Sequence, residues 1–164
     1  MTKKVLILLL LLNLNSIHSG EKKKTKLYKG AWFEVDYPSD FSKKPSIKSQ
    51  SVDGYDSCYF ISPDKKVKFY IFSPQWSGDA TDISLIESKE ISIDEKTEKN
   101  KSISKRFFTY QAKNKSYSRS YVETIDEASN TKHVFGIEYQ DKKSYEKYKS
   151  KYIEFKKTLK QFAD

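Results

Sequence analysis

The sequence predicts an α+β fold, an antiparallel β-sheet meander with a long C-terminal amphipathic helix packed across it. Three observations predict it. Several short runs alternate apolar and polar residues, as half-buried strands do. Short polar turns join these runs in succession, which favours antiparallel neighbours. From Asp141 onward the pattern changes: Tyr145, Tyr148, Tyr152, Phe155, Leu159 and Phe162 recur at steps of three and four, one face of an α-helix.

The elements follow in order. In AWFEVDY, residues 31–37, Phe33, Val35 and Tyr37 share one face, and Trp32, Glu34 and Asp36 share the other. Pro38-Ser39-Asp40 ends this strand, because proline cannot donate to a ladder. Residues 41–54 read as a long loop closed by Asp53-Gly54. YDSCYFI (55–61) and VKFYIFS (67–73) flank SPDKK and read as a β-hairpin. Both runs are partly apolar on both faces, which places the hairpin centrally in its sheet. The next stretch is ambiguous: Asp79 or Thr81 caps a short helix over 82–88, or KEISI enters a strand. EKTEKNK, 95–101, reads as a charged turn. Strands follow over 102–112, 116–124 and 131–139. Asp141 suits a helix N-cap, and lysines fill the polar arc of the helix behind it. A basic amphipathic helix can lie on a membrane, but a sheet with an aromatic face offers this one a partner within the chain.

Residues 1–19 read as a secretory signal peptide. Lys3 and Lys4 form a basic start, Val5 to Leu12 an apolar run, and small polar residues lead to Gly20. The run is too short for a permanent bilayer anchor, so no transmembrane segment is expected after its removal. Glu21 to Lys26 extend a polar basic tail (20–26) expected to be disordered, and 27–164 form one α+β domain long enough to bury a core. Twelve Tyr, ten Phe and two Trp are its main core material. The localisation expected is the periplasm or the medium.

Charge narrows the partners. The formal net charge is +9, but Arg106 and Arg119 are the only arginines. Nucleic-acid sites lean on arginine for bidentate contacts, so nucleic acid is disfavoured. The scattered lysines still allow contact with an anionic membrane surface.

Most chemistries are excluded by absence. Cys58 is the only cysteine, so no internal disulfide forms, and its strand-like setting suits a small buried side chain. His133 is the only histidine left after export and lies in phase with Phe135 and Ile137, as a structural histidine would. One Cys and one His cannot build a zinc site of the usual kind. The chain carries no P-loop, no dinucleotide fingerprint, no zinc-protease helix motif and no nucleophile elbow. No cofactor and no catalytic residue is assigned.

The least bland stretch is FYIFSPQWSGDAT, 69–81. Pro74 stops the strand and Gly78 permits a positive φ, which leaves Gln75 and Trp76 at a sheet end. Trp76 caps the core there or anchors a partner, tryptophan being a frequent interface hot spot. Gln75, Trp76, Asp79 and Trp32 are the candidate binding residues.

YKGAWFEVDYPSDF resembles the opening of PsbP-like and Mog-type domains, where an aromatic-x-hydrophobic-x-Tyr-Pro strand leads to a turn and a second aromatic. Here these are Phe33, Val35, Tyr37, Pro38 and Phe41. The resemblance implies a strand pair, a variable middle, an antiparallel meander and a C-terminal helix over about residues 28–162. Two features depart from it: the middle helix is weak, and Phe41 stands where a tryptophan is usual. The family includes photosystem extrinsic subunits, a nuclear-transport GTPase-binding protein and exported bacterial proteins, so it implies binding or assembly.

Three functions remain open. The first is a secreted or periplasmic non-catalytic binding or assembly domain. The second is a helix-grip carrier holding an apolar ligand between sheet and helix. The third is a hydrolase using Cys58 or His133. N-terminal sequencing of exported material should find the mature chain starting near Gly20 or Glu21; intact Met1 in that material would overturn the signal assignment.

Overall fold

The computed structural model describes residues 25–75 and 78–162. The signal segment and Trp76 therefore lie outside the described residues. The remainder is α+β: two antiparallel sheets with one helix across them.

The small sheet joins β1 (Thr25–Lys29), β2 (Phe33–Pro38) and β10 (Lys160–Gln161) in the order β1-β2-β10. Strand pairing thus starts two residues before Leu27, inside what reads as a basic tail. In β2, Phe33, Val35 and Tyr37 are buried while Glu34 and Asp36 are half-buried, which is the alternation the sequence carries.

The large sheet has seven strands in the order β3-β4-β5-β9-β8-β7-β6. They are β3 (Ser42–Pro45), β4 (Ser57–Ile61), β5 (Val67–Phe72), β6 (Glu90–Asn100), β7 (Ile103–Ala112), β8 (Ser118–Asp126) and β9 (Thr131–Tyr139). The β4–β5 hairpin forms as expected. Its turn is tied by Ser62 Oγ, which donates to Asp64 Oδ1 at 2.7 Å and accepts from the Val67 N–H at 3.0 Å.

Three local readings are corrected. The 41–54 loop contains β3, which pairs with β4 from Ser42↔Ile61 to Pro45↔Cys58. Its lysines point to solvent, so no apolar alternation marks it. The 82–88 helix does not form. One 3₁₀ turn, Thr81–Ile83, stands there without a side-chain cap, and KEISI enters β6. The charged turn at 95–101 is instead the second half of β6, which runs to Asn100, an edge strand exposed at every position after Glu90. A strand that buries nothing has no period-two signal, and here the ladder to β7 holds it.

The helix α1 spans Lys142–Lys157. Asp141 is its N-cap, accepting the Ser144 N–H at 2.7 Å. The apolar periodicity continues to Phe162, but the helix stops at Thr158, whose hydroxyl donates to the Phe155 carbonyl at 2.8 Å and accepts the Asp36 N–H at 2.9 Å. The chain then turns into β10 along β2. Phe162, placed on the buried stripe by its spacing, is 47% exposed.

The main core lies between α1, the small sheet and one face of the large sheet. Phe60, Phe69 and Ile71 meet Val35, Phe135, Tyr152 and Phe155 there, all buried. The Phe155 ring stands 5.3 Å from Phe60, 5.5 Å from Phe69 and 5.6 Å from Phe135. Such pairs add to the stabilisation from area burial alone. The opposite face carries a second cluster of Tyr70, Phe72, Ile83, Phe108, Tyr121 and Val134. Gly136 makes this cluster possible, since a Cβ there would stand 2.3 Å from the Tyr121 ring. No helix among the described residues is long and apolar enough to cross a membrane.

Phe155→Ala removes the ring on which this core converges and should cost about 3–5 kcal/mol in denaturant unfolding. A loss below about 1 kcal/mol would show that α1 does not pack as described.

Candidate functional site

Residues 79–90 cross the face of the large sheet that α1 leaves free. Few apolar side chains hold this segment, and Ile83 is its one buried residue inside the 3₁₀ turn. Polar contacts do the rest. The Tyr70 hydroxyl donates to Asp82 Oδ1 at 2.6 Å, Ser57 Oγ donates to Asp82 Oδ2 at 3.0 Å, and the Tyr59 hydroxyl donates to the Asp82 carbonyl at 3.0 Å.

Arg119, on β8, pins the other half. Its Nε donates to Glu90 Oε1 at 2.7 Å and its Nη2 to Glu90 Oε2 at 2.5 Å. Its remaining donors reach the Ile83 carbonyl at 2.9 Å, the Ser84 carbonyl at 2.8 Å and the Tyr121 hydroxyl at 3.1 Å. All five guanidinium N–H groups are therefore used. Glu90 also accepts the Ile86 N–H at 2.8 Å and the Tyr117 hydroxyl at 2.7 Å. Burial would raise the Glu90 pKa, but these donors outweigh it and hold the carboxyl down at about 2. A cleft of about 470 Å³ opens beside this pair, walled by Lys44, Tyr59, Lys68, Tyr117 and Glu138. Two of its wall charges are paired, Lys68 to Glu138 at 2.7 Å.

Of the sequence-derived candidates, the described ones, Trp32, Gln75 and Asp79, lie toward one end of the large sheet. Gln161 of β10 donates to Ser73 Oγ and to the Lys132 carbonyl, both at 3.0 Å. The Phe162 N–H donates to the Trp32 carbonyl at 2.9 Å. These bonds bring Trp32 and the start of the 73–79 turn to the same rim. They do not make Trp32 available: its ring is buried and its indole N–H donates to Ser51 Oγ at 3.0 Å. Gln75 is half-buried. Asp79 is open, with its side chain 90% exposed and a carboxylate oxygen 3.2 Å from Lys132 Nζ. Lys132 also pairs with Glu123 at 2.9 Å. Gly78 takes φ +157°.

A cleft of about 350 Å³ adjoins Asp79, lined by Thr81, Arg106, Phe108, Tyr110 and Glu123. The Arg106 guanidinium stands 4.8 Å from the Phe108 ring centre, a cation–π contact. None of these five is a binding candidate from the sequence. They come from a 3₁₀ turn and two strands, and no local pattern marks residues that only pairing assembles. Phe162 was missed for another reason: its spacing continued the helix stripe.

The reactive side chains are placed as structural ones. Cys58 is fully buried in β4, burial pushes its thiol up to about 12, and its Sγ donates to the Tyr59 carbonyl. A thiol so placed is a poor nucleophile. Burial lowers the His133 pKa, partly offset by the 3.2 Å contact of Nδ1 with Gln161 Oε1. No group of His, Cys, Asp and Glu among the described residues could hold a metal ion. Another cleft, about 690 Å³, flanks α1 beside Asp36 and Pro38. Its rim residues Asp40, Ser150, Lys151 and Glu154 are exposed, so it is an open groove.

This architecture is that of the PsbP-like fold. Cyanobacterial PsbP (CyanoP) from Synechocystis sp. PCC 6803 has a similar solution structure, with TM-score 0.50 and 11% identity over 91% of this chain and 99% of that one. No protein-family model and no curated protein matches the sequence. The likeness carries the fold, and function must be argued from the surfaces.

Arg119→Met leaves Glu90 buried without its cation and should cost about 3–5 kcal/mol, whereas Arg119→Met/Glu90→Leu should recover part of it. Glu90 also predicts a pH dependence. The unfolded carboxyl, near its ordinary 4.5, takes up a proton that the folded one refuses down to about 2. Stability from this group is therefore present above pH 4.5 and lost as pH falls toward 2. A melting-temperature series should show that decline, flattened in Glu90→Gln; an unchanged slope would remove Glu90 as its source.

Proposed function

We propose that this chain is an exported, non-catalytic binding or assembly domain that engages a protein partner at the Asp79 end of its large sheet. The observation that carries the reading is the filled core. The space between α1 and the sheet, where a helix-grip carrier would hold its ligand, is occupied by Phe60, Phe69, Phe135, Tyr152 and Phe155. Binding is thereby moved to the surface. Burial of Cys58 and the bonded state of His133 argue against the hydrolase in the same way.

Support for the place comes from chemistry at the rim. Gln75 and Trp76 are the sequence-derived candidates of the 73–79 stretch, and the exposed Asp79 adjoins the cleft that the stacked Arg106 and Phe108 line. Phe162 is an exposed aromatic two residues along from Lys160 of β10, the strand that pairs with β2. Aromatic and arginine side chains beside matched charges suit a protein surface. The basic start and apolar run of residues 1–19 support export, after which 27–164 act as one domain. The PsbP-like fold is consistent with an assembly role.

The test is a pull-down from the native envelope or culture medium with the wild type, Trp76→Ala, Asp79→Lys and a control, Lys143→Ala, on α1. A partner retained by the wild type and the control but lost by both rim variants is expected. A partner that all four retain equally would overturn the assignment of the rim.

A further inference from the structure

The strand β6 leaves a long free edge. Among the described residues it pairs with β7 on one side only and ends the seven-stranded sheet. Its register to β7 shifts between Ser92 and Asp94, then runs unbroken from Asp94↔Thr109 to Asn100↔Ile103. At Lys101 the chain turns, with φ +53°. The regular free edge is therefore residues 94–100, and its midpoint is Thr97.

Backbone geometry limits how such an edge can meet a second copy of itself. Successive residues of a strand point their N–H and C=O groups alternately to its two sides. In an antiparallel pair, the residues directly opposite must both point across or both point away. Two copies related by a two-fold axis must then be centred on a residue, not between two residues.

Charge chooses among the centres. Centring on Lys96 sets Lys96 against itself and Asp94 against Glu98. Centring on Glu95 or Glu98 sets a glutamate against itself. Centring on Thr97 sets Lys96 opposite Glu98 and Glu95 opposite Lys99, each twice by symmetry, and Asp94 opposite Asn100. Opposite charges directly across a ladder stabilise it, and like charges oppose it. Edges are commonly blunted by charges that repel every register. This edge is attractive in the one register that also uses its whole regular length.

We propose that two copies of this chain associate through β6, antiparallel and centred on Thr97, joining their large sheets into one. The charges are already in position. Lys96 and Glu98 pair on one face of the strand at 2.5 Å and meet the same pair of the second copy, alternating in sign. On the other face Glu95 is held by Arg106 at 2.8 Å and Lys99 by Glu127 at 3.1 Å. The bulge before Asp94 and the turn at Lys101 close the interface at both ends. An edge pairing of this length lies at the small end of specific interfaces, so the dimer is concentration-dependent.

Thr97→Cys tests the register directly. On the two-fold axis its Cα atoms would stand about 4.5–5.5 Å apart, within the range a disulfide spans. Asp94→Cys is the control, since its two copies would lie roughly 20 Å apart at about 3.4 Å per residue. The native thiol does not compete, because Cys58 is buried. Under mild oxidation Thr97→Cys should become a covalent dimer and Asp94→Cys should stay monomeric. In sedimentation the wild type should dimerise with rising concentration, Lys96→Glu should abolish this, and Lys96→Glu/Glu98→Lys should restore it. Equal cross-linking of the two cysteine variants, a wild type monomeric throughout, or a dimer indifferent to Lys96→Glu would each overturn the proposal.

Discussion

Burial of β5 on both faces is the constraint on which the rest of the structure depends. A strand alternates its side chains, so Val67, Phe69 and Ile71 enter one core and Tyr70 and Phe72 the other. Each face then needs a cover, and the chain supplies two of different kinds. Toward α1 the cover is apolar: the helix stripe and the small sheet interlock aromatic rings with those of β4, β5 and β9. Toward the other side the cover is a short irregular segment with little apolar surface to bury. Irregular backbone over a sheet exposes carbonyls to a dry interface, and each one left unpaired is costly. Arg119 resolves that cost by donating to the carbonyls of Ile83 and Ser84 while its charge is balanced by Glu90.

The same constraint shapes what the molecule can do. Aromatic packing against α1 leaves no chamber beneath the helix. Polar groups beneath the second cover are already bonded to one another, and a five-donor arginine with every donor engaged has none to offer a ligand. The thiol of Cys58 is enclosed, and the imidazole of His133 is tied to Gln161. Among the described residues, what stays open is peripheral: the groove beside α1, the cleft beside Arg119 and Glu90, the rim where Asp79 adjoins the Arg106–Phe108 stack, and the outer ladder of β6. The last two carry the proposals. The rim is the surface proposed for a protein partner and the ladder the one proposed for a second copy, and Arg106 touches both, stacked on Phe108 and paired with Glu95. They lie on different parts of the sheet, one at a strand end and one along a strand edge.

Legibility in the sequence tracks burial. Strand β2, the β4–β5 hairpin, strands β7 to β9 and the start of α1 were readable because each buries at least one face, β5 both, and burial sets the pattern of residue choice. The Asp141 cap was readable because an N-cap needs a short side-chain acceptor at a defined place. Strands β3 and β6 were not, since edge positions tolerate Lys, Glu, Ser and Thr on both faces. The end of α1 was misjudged because Leu159 and Phe162 keep the helical spacing after the helix has stopped. Of the candidates, the sequence marked Gln75, Trp76 and Asp79 through Pro74 and Gly78, but not Arg106, Phe108, Tyr110 or Glu123, which strand pairing gathers beside Asp79.

By itself the sequence determined the α+β class, the amphipathic helix, the aromatic core and the absence of motifs for common catalysis. These are local properties, set by the periodicity of side chains and by which residue types are present. Only the tertiary structure decided that Trp32 turns inward to Ser51, that Arg119 and Glu90 close on each other 29 residues apart, and that β6 ends the sheet with its edge free. Those outcomes depend on which strands become neighbours. Pairing is chosen by the joint burial of distant segments, and no single stretch of the chain encodes it.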